Sequence, residues 1–405
     1  MTSGCAVCGG TESFELERRG TAPVAQNLLF ETREAALACV TGSIEIRRCS
    51  SCGFAWNDRF DERLAAYGEK YDNDQSFSPR FRRHLGEVAA TVAGRLAGSG
   101  PVDLLEIGCG QGGFLAAVAK RLGGDWRGGL GFDPAWKGDP SRLPERTEVR
   151  AHYFDASALR ADGRRPNAVV SRHVIEHIAD PVAHLRDIRA AIADGTLLFV
   201  ETPDVDWTLR NGAVFDFYYE HCSLFTGFAL RLALERAGFI VEGVSSLFAG
   251  QYLFAVARAG ATTAPPPAAG ARFDDLGYRA LRDGFAAALD SWMVGRRDCG
   301  GAALWGAASK GGTIALMLRD LGKPIACAID INERKQGSFM PCSAIPILSP
   351  AEAARLGVRS AIVVNPAYFG EIEELCAGEE LLIELVSIDS LAQGGAPSHP
   401  STERR

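Results

Sequence analysis

Apolar and polar positions along the chain fall into blocks that predict strand, turn and helix in repeating order. Val102, Leu104, Leu105 and Ile107 form a short apolar run with Glu106 near its end, the pattern of a parallel strand buried on both faces. Gly108, Gly110, Gly112 and Gly113 follow, and Phe114-Leu-Ala-Ala-Val-Ala-Lys-Arg-Leu122 then reads as a helix. Upstream, Phe81, Leu85, Val88, Val92 and Leu96 recur at helical spacing, so this helix packs on the same sheet. Downstream, residues 130–133, 167–173 and 196–201 read as further strands. A helix is expected over 227–237, and the paired segments 240–246 and 251–257 close the unit. Such alternation predicts an α/β fold built on a doubly wound, Rossmann-like sheet.

A second block repeats the theme nearer the C-terminus. A long helix over 276–295 leads to Ala302-Ala-Leu-Trp-Gly-Ala-Ala-Ser-Lys-Gly-Gly-Thr313, another strand, glycine turn and helix. Residues 260–271, with Pro265-Pro-Pro267, read as a linker, and the Ser/Pro/Arg-rich tail over 394–405 as disordered. The expected division is therefore 1–75, 76–259, a linker at 260–272, 273–393, and the tail. A length of 405 residues agrees with more than one core.

Composition narrows the class of partner. A hydrophobic content of 47% and a charged content of 23% are those of a globular chain. The net charge of -7 argues against a nucleic-acid footprint, which needs a basic face. No apolar run reaches membrane-spanning length, and the N-terminus lacks an apolar signal segment, so a cytoplasmic protein is expected.

Four of the eleven cysteines are paired by spacing, Cys5-Ala-Val-Cys8 and Cys49-Ser-Ser-Cys52. Two such knuckles supply a closed tetrahedral thiolate set for one structural zinc ion, with the alternating residues 43–48 as a strand that delivers the second knuckle. Cys39, Cys109, Cys222, Cys299, Cys327, Cys342 and Cys376 lack ligand spacing and read as small core or pocket residues. Residues 57–73 read as a short helix and a polar loop that carries Tyr67 and Tyr71, a bridge to the central unit.

The glycine turn brings bare backbone and a helix N-terminus to a polar cofactor. Gly-x-Gly-x-x-Gly spacing also serves NAD enzymes. Here Glu106 would repel a pyrophosphate but suits the cationic methionine end of S-adenosylmethionine. Asp133, ending the next strand, can accept both ribose hydroxyls. Asp155 can accept from the adenine amino group, and Phe154 or Tyr153 can lie on its face. His173 ends a strand at the mouth of the pocket, where open sheets bind ligands.

Phe215-Asp-Phe-Tyr-Tyr-Glu-His-Cys-Ser-Leu-Phe225 concentrates the reactive groups. His221 can act as a base near neutral pH, Glu220 can orient it, and Tyr218 offers a hydroxyl. An aromatic packing loop with a satisfied histidine fits the same spacing. His177, in Glu176-His-Ile-Ala-Asp-Pro181, can serve chemistry or merely cover the cofactor.

The knuckles, the Glu106-x-Gly-x-Gly loop and Tyr218-Tyr-Glu-His221 together resemble the sugar C-methyltransferases that act on nucleotide-linked keto-deoxysugars. The resemblance implies a zinc-binding N-terminal lobe, a central class I methyltransferase domain and a C-terminal domain of the family's own. It also implies an active site of Tyr218, Glu220, His221, His177 and a bridge tyrosine, best matched by Tyr71. Residues 302–313, Asp330, Lys335-Gln-Gly337 and Asn365-Pro-Ala-Tyr-Phe-Gly-Glu-Ile372 resemble the C-terminal signature. Gly306, Lys310, Gly311 and Thr313 can hold a substrate phosphate, or the unit can be a ligand-free Rossmann-like scaffold. Tyr219 and Cys222 depart from the family pattern.

The reaction this implies starts with removal of a proton beside a ketone, and the enolate carbon then attacks the sulfonium methyl. Carbon needs a base for this, with His221 as the candidate, whereas oxygen or nitrogen needs mainly proximity. His177, Tyr218 and Tyr71 are the candidates to bond the oxyanion or the sugar. The competing readings are an O- or N-methyltransferase of another natural-product or glycan substrate, and a non-catalytic module that binds zinc and S-adenosylmethionine.

Overall fold

The computed structural model describes residues 4–65, 78–261, 272–294, 296, 301–323 and 325–392. Tyr67, Tyr71, Cys299, most of the expected linker and the tail over 394–405 lie outside the described residues. Within them the strands form three sheets.

The N-terminal sheet starts with β1 (Ser13–Pro23), continues after helix α1 (Arg33–Leu37) with β2 (Thr41–Cys49), and adds β3 (Ala55–Asn57), all antiparallel. Of the short helix and loop expected over 57–73, the described residues 58–65 are turns and irregular chain, and 66–73 lie outside the described residues. The Asn57 side chain accepts the Arg59 amide at 3.1 Å and the Tyr219 hydroxyl accepts the Asp61 amide at 2.9 Å, so side chains satisfy amides that the first helical turn would leave open.

The central unit then runs α2 (Pro79–Leu96), β4 (Val102–Ile107), α3 (Gly113–Leu122), β5 (Trp126–Phe132), β6 (Thr147–Arg150), α4 (Ala156–Ala161), β7 (Ala168–Arg172), α5 (Pro181–Ala191), β8 (Leu197–Pro203) and α6 (Val205–Arg210). β9 (Ser223–Leu224) leaves it to pair with β3, completing the N-terminal sheet in the order β1-β2-β3-β9. α7 (Gly227–Arg236), β10 (Phe239–Leu247) and β11 (Tyr252–Ala259) return to the central sheet, whose order is β10-β11-β8-β7-β4-β5-β6. β4 to β8 are parallel, and β11 is antiparallel to both neighbours.

Both faces of this sheet are covered, which is why its strands are nearly continuous apolar runs. Leu105, Ile107, Val169 and Leu198 pack on one side, while Leu104, Val170 and Phe199 meet Val88 and Val92 of α2 on the other. At the carboxyl end of β8, Glu201 is fully buried. It bonds His84 Nε2 of α2 at 2.5 Å and Arg172 Nε of β7 at 2.5 Å, tying three elements together. Burial pushes its carboxyl up, but Arg172 and His84 outweigh that and hold it at about 2.

The C-terminal unit comprises α8 (Tyr278–Val294), β12 (Ala302–Trp305), α9 (Ser309–Asp320), β13 (Cys327–Ile329), β14 (Ile347–Leu348), α10 (Pro350–Leu356), β15 (Ser360–Val363), α11 (Phe369–Gly378), β16 (Glu384–Ser387) and α12 (Ile388–Ala392). Its sheet is parallel throughout, in the order β14-β13-β12-β15-β16. The α/β class and the two Rossmann-like sheets therefore follow the sequence reading. Among the described residues no helix is long and apolar enough to cross a membrane.

Candidate functional site

The knuckle cysteines converge. Cys5 and Cys52 bring their sulfurs to 3.5 Å, as do Cys8 and Cys49, and all four lie within 4.8 Å of one another. A tetrahedral zinc thiolate has sulfurs about 3.8 Å apart, so the set matches a closed metal site. The Gly10 amide donates to Cys8 Sγ at 3.3 Å.

In the central sheet the chain leaves β4 through Gly108, whose φ is +74° and where a Cβ would sit 2.2 Å from a Val174 methyl. Gly112, with φ +76°, caps α3 and has no side-chain partner for the helix amides. Asp133 closes this loop: its carboxylate accepts the Gly110 and Ala135 amides, each at 2.7 Å. Each of its oxygens keeps capacity for a ribose hydroxyl.

Glu106 is 2% exposed, and its Oε2 is buried with no hydrogen-bond partner. Burial pushes its carboxyl up to about 8. A cation beside it would relieve that cost, so the site fits the methionine end of S-adenosylmethionine. Phe154 packs edge-on against Phe132 with ring centres 5.4 Å apart, whereas Tyr153 is 58% exposed. Asp155 caps α4 by accepting the Ser157 and Ala158 amides through one oxygen.

The reactive loop stands at the carboxyl end of the sheet. His221 lies between two rings: His177 at 4.8 Å and Tyr218 at 4.8 Å, both edge to face. Its acidic neighbour differs from the expected one. Glu220 turns its carboxylate to the Gln26 amide at 3.3 Å, while Glu176 offers an oxygen within 4.8 Å of ring nitrogens of His177 and His221. Glu176 also accepts the Thr202 hydroxyl at 3.0 Å. Burial pushes its carboxyl up, but His173, His177 and His221 outweigh that and hold it at about 2. Glu176, His177 and His221 could also hold a metal ion.

Burial first, then the neighbouring His177, pushes His221 down to about 3, while Glu176 pulls it up. The ring is therefore neutral near pH 7. His177 Nδ1 lies 3.1 Å from the Glu220 carbonyl, which can only accept. Nδ1 is therefore the donor to that carbonyl. Tyr218 donates its hydroxyl proton to Asp216 at 2.8 Å, which leaves its oxygen as an acceptor. Burial and the Asp216 charge keep this phenol protonated.

Asp216 continues to Lys310 of the C-terminal unit, whose Nζ is 3.0 Å away. Between the two units lies a cavity of about 290 Å³, near the lower end of typical small-molecule sites. His173, Glu176, His177, Tyr218 and His221 line one side, and Ser309, Lys310, Asp330, Asn332 and Lys335 the other. His173 thus faces this cavity; its φ is +54° and its Nδ1 is 3.5 Å from Glu176.

The expected phosphate grip takes other duties. The Gly306 amide donates to the Ile329 carbonyl at 2.8 Å, and Thr313, 2% exposed, donates to Ser309 O at 3.2 Å. A Cβ on Gly311 would lie 2.0 Å from Gly306 O, so this glycine permits strand-helix contact. Only Lys310 of the four presents a charged group to the cavity, and it is shared with Asp216. Glu176, Asp216 and Asn27, which also lines the cavity, were not singled out in the sequence. Glu176 and Asp216 adjoin or nearly adjoin residues that were, but Asn27 carries no local signal.

Residues 76–243 match the family described as Methyltransferase domain, and residues 289–375 the family described as C-methyltransferase C-terminal domain. Over 103 residues the chain is 38% identical to a ubiquinone biosynthesis O-methyltransferase of Cereibacter sphaeroides, a stretch that covers 24% of this chain and 40% of that relative. Among solved structures it is similar to the CurJ carbon methyltransferase, at 16% identity and a TM-score of 0.35, over 45% of this chain and 56% of that one. A 1,6-didemethyltoxoflavin-N1-methyltransferase of Burkholderia thailandensis, solved with S-adenosylhomocysteine, is similar at 18% identity and a TM-score of 0.34, over 45% of this chain and 81% of that one. The match to a methyltransferase domain spans β4 to β8 of the central sheet, and the match to a C-methyltransferase C-terminal domain spans β12 to β15 of the parallel C-terminal sheet.

Proposed function

We propose that the chain is an S-adenosylmethionine-dependent C-methyltransferase that acts on the carbon beside the ketone of a nucleotide-linked deoxysugar. One observation carries the reading: His221 is held neutral between His177 and Tyr218, beside the buried Glu176, in a cavity whose far wall comes from the C-terminal unit. A base is what carbon methylation needs and what oxygen methylation largely does without.

Bound S-adenosylmethionine supplies the electrophilic methyl group, and Glu106, Gly108, Gly110, Gly112 and Asp133 are the residues that would hold it. His221 takes the proton beside the ketone. Glu176 is the neighbour that favours the cationic ring, against burial and His177. The Tyr218 oxygen accepts a hydrogen bond from a sugar hydroxyl, and His177 lines the same wall. Lys310, with donors left beyond its bond to Asp216, faces the developing oxyanion or the diphosphate. Tyr71 remains a candidate from the bridge. Cys5, Cys8, Cys49 and Cys52 hold one zinc ion that folds the lobe and takes no part in the chemistry.

The test is exchange of the proton beside the ketone in deuterated water, with S-adenosylhomocysteine bound and a panel of nucleotide-linked keto-deoxysugars. Exchange in the wild type that falls by at least about 100-fold in His221→Ala is expected. Undiminished exchange in that variant, with its cofactor binding intact, would remove His221 as the base.

A further inference from the structure

Cys39 and Cys342 stand 303 positions apart, yet their sulfurs lie 3.2 Å from each other. Both are free thiols. Cys39 follows α1 in the N-terminal lobe, and Cys342 sits in the turn before β14 of the C-terminal unit. Neither belongs to the zinc cluster or to the walls of the cavity.

The approach is fixed by backbone rather than by two chance rotamers. The Cys342 amide donates to the Ala36 carbonyl at 3.0 Å. Phe30 and Phe339 exchange backbone bonds of 3.3 and 2.8 Å. On the lobe side, Val24 N bonds Val40 O and Ala38 N bonds Glu34 O, each at 3.0 Å, which pins the residues on both sides of Cys39. On the other side the Arg319 guanidinium bonds the Cys342 carbonyl at 3.5 Å, and Arg33 crosses the seam to the Ala344 carbonyl at 3.3 Å.

We propose that Cys39 and Cys342 form a redox-modification site, at which a disulfide joins the N-terminal lobe covalently to the C-terminal unit. The two sulfurs differ in access. Cys39 is partly exposed and Cys342 is 5% exposed, so a small disulfide reaches Cys39 first. The hydrogen bond from Cys342 brings the Cys39 thiol down to about 7, which keeps thiolate available at neutral pH.

The Cys39 thiolate attacks one sulfur of the small disulfide and releases one small thiol. Cys342 then gives up its proton as its sulfur attacks Cys39 sulfur in the mixed disulfide, and the second small thiol leaves with that proton. Two protein thiols lose two electrons and two protons, and the small disulfide takes up both. The same seam carries the Ser309 to Asn27 hydrogen bond at 3.2 Å, and both of those residues line the cavity. Oxidation therefore locks that wall of the cavity. This inference is independent of the methylation reading.

The test uses the zinc-loaded full chain equilibrated with reduced and oxidised glutathione in graded ratios, then alkylated and mapped by mass spectrometry. A peptide cross-linked through Cys39 and Cys342 is expected, with zinc retained and Tm raised by several degrees on oxidation. Cys39→Ser should abolish the cross-link and the Tm shift, and Cys342→Ser should trap glutathione on Cys39. Persistent glutathione on Cys39 in the wild type, or a cross-link that forms only as zinc is lost, would overturn the proposal.

Discussion

Replacing Glu176 with Gln tests which acid serves the histidine. The substitution keeps the shape of a side chain that is 1% exposed and leaves an amide oxygen to accept the Thr202 hydroxyl, so its main effect is loss of one negative charge. When His221 takes the substrate proton, a positive charge forms within 4.8 Å of the Glu176 carboxylate. At an effective dielectric constant of about 20, that attraction is worth roughly 3.5 kcal/mol. Each 1.36 kcal/mol corresponds to about a tenfold change in rate, so the full attraction at that separation corresponds to roughly 300-fold. Spreading of the imidazolium charge lowers this, and a fall in kcat of about 100-fold is expected. Glu176 does not adjoin the glycine loop in sequence, and binding of S-adenosylmethionine should stay within about threefold. Single-turnover methyl transfer and calorimetric cofactor titration separate the two effects. Glu220→Gln belongs in the same series, because its carboxylate faces the Gln26 amide. A wild-type kcat for Glu176→Gln, with the loss appearing in Glu220→Gln instead, would refute the reasoning.

Three further outcomes follow from buried charges and from the thiolate cluster. Glu106, held near pKa 8 by burial, must lose its proton to pair with a cation, so affinity for S-adenosylmethionine should rise with pH up to about 8 and then level off. Calorimetry across pH 6.5 to 9 checks this, and Glu106→Gln should flatten the profile. Glu201→Gln leaves Arg172 and His84 buried without their carboxylate and should cost about 3–5 kcal/mol in urea unfolding at pH 7. The folded Glu201 carboxyl is depressed from 4.5 to about 2, so its stabilisation is complete above 4.5 and is lost as pH falls toward 2. That acid limb should shrink in the variant. Cys49→Ser should lower zinc content below one per chain and reduce Tm, as measured by elemental analysis and calorimetry; a full zinc complement in that variant would contradict the thiolate site.

The parts legible in sequence are those encoded by neighbours. Val102 to Gly112 announce a buried strand and a glycine turn because apolar period and φ-permissive residues are local properties, and the Cys-x-x-Cys knuckles are local for the same reason. The α/β class and the repeated Rossmann-like unit followed from such stretches. What escaped depends on long-range packing. That Glu176 comes within reach of His221, while the Glu220 carboxylate accepts the Gln26 amide, is decided by where the turn Ile175–His177 meets the 218–221 loop, and adjacency in sequence does not show it. Gly306-x-x-x-Lys310-Gly resembles a phosphate grip, yet the Ile329 carbonyl already takes the Gly306 amide and α9 buries Thr313. The pairing of Lys310 with Asp216, and of Cys39 with Cys342, joins segments that no local pattern connects.

The central claim is that the new bond is made to carbon, with His221 removing the proton. Incubation with S-adenosylmethionine carrying a ¹³C methyl group and a nucleotide-linked keto-deoxysugar, followed by NMR of the product, tests it most directly. The account predicts a ¹³C methyl coupled to the sugar carbon beside the former ketone, absent from the His221→Ala reaction. A methyl bonded to oxygen or nitrogen, or carbon methylation undiminished in His221→Ala, would contradict it.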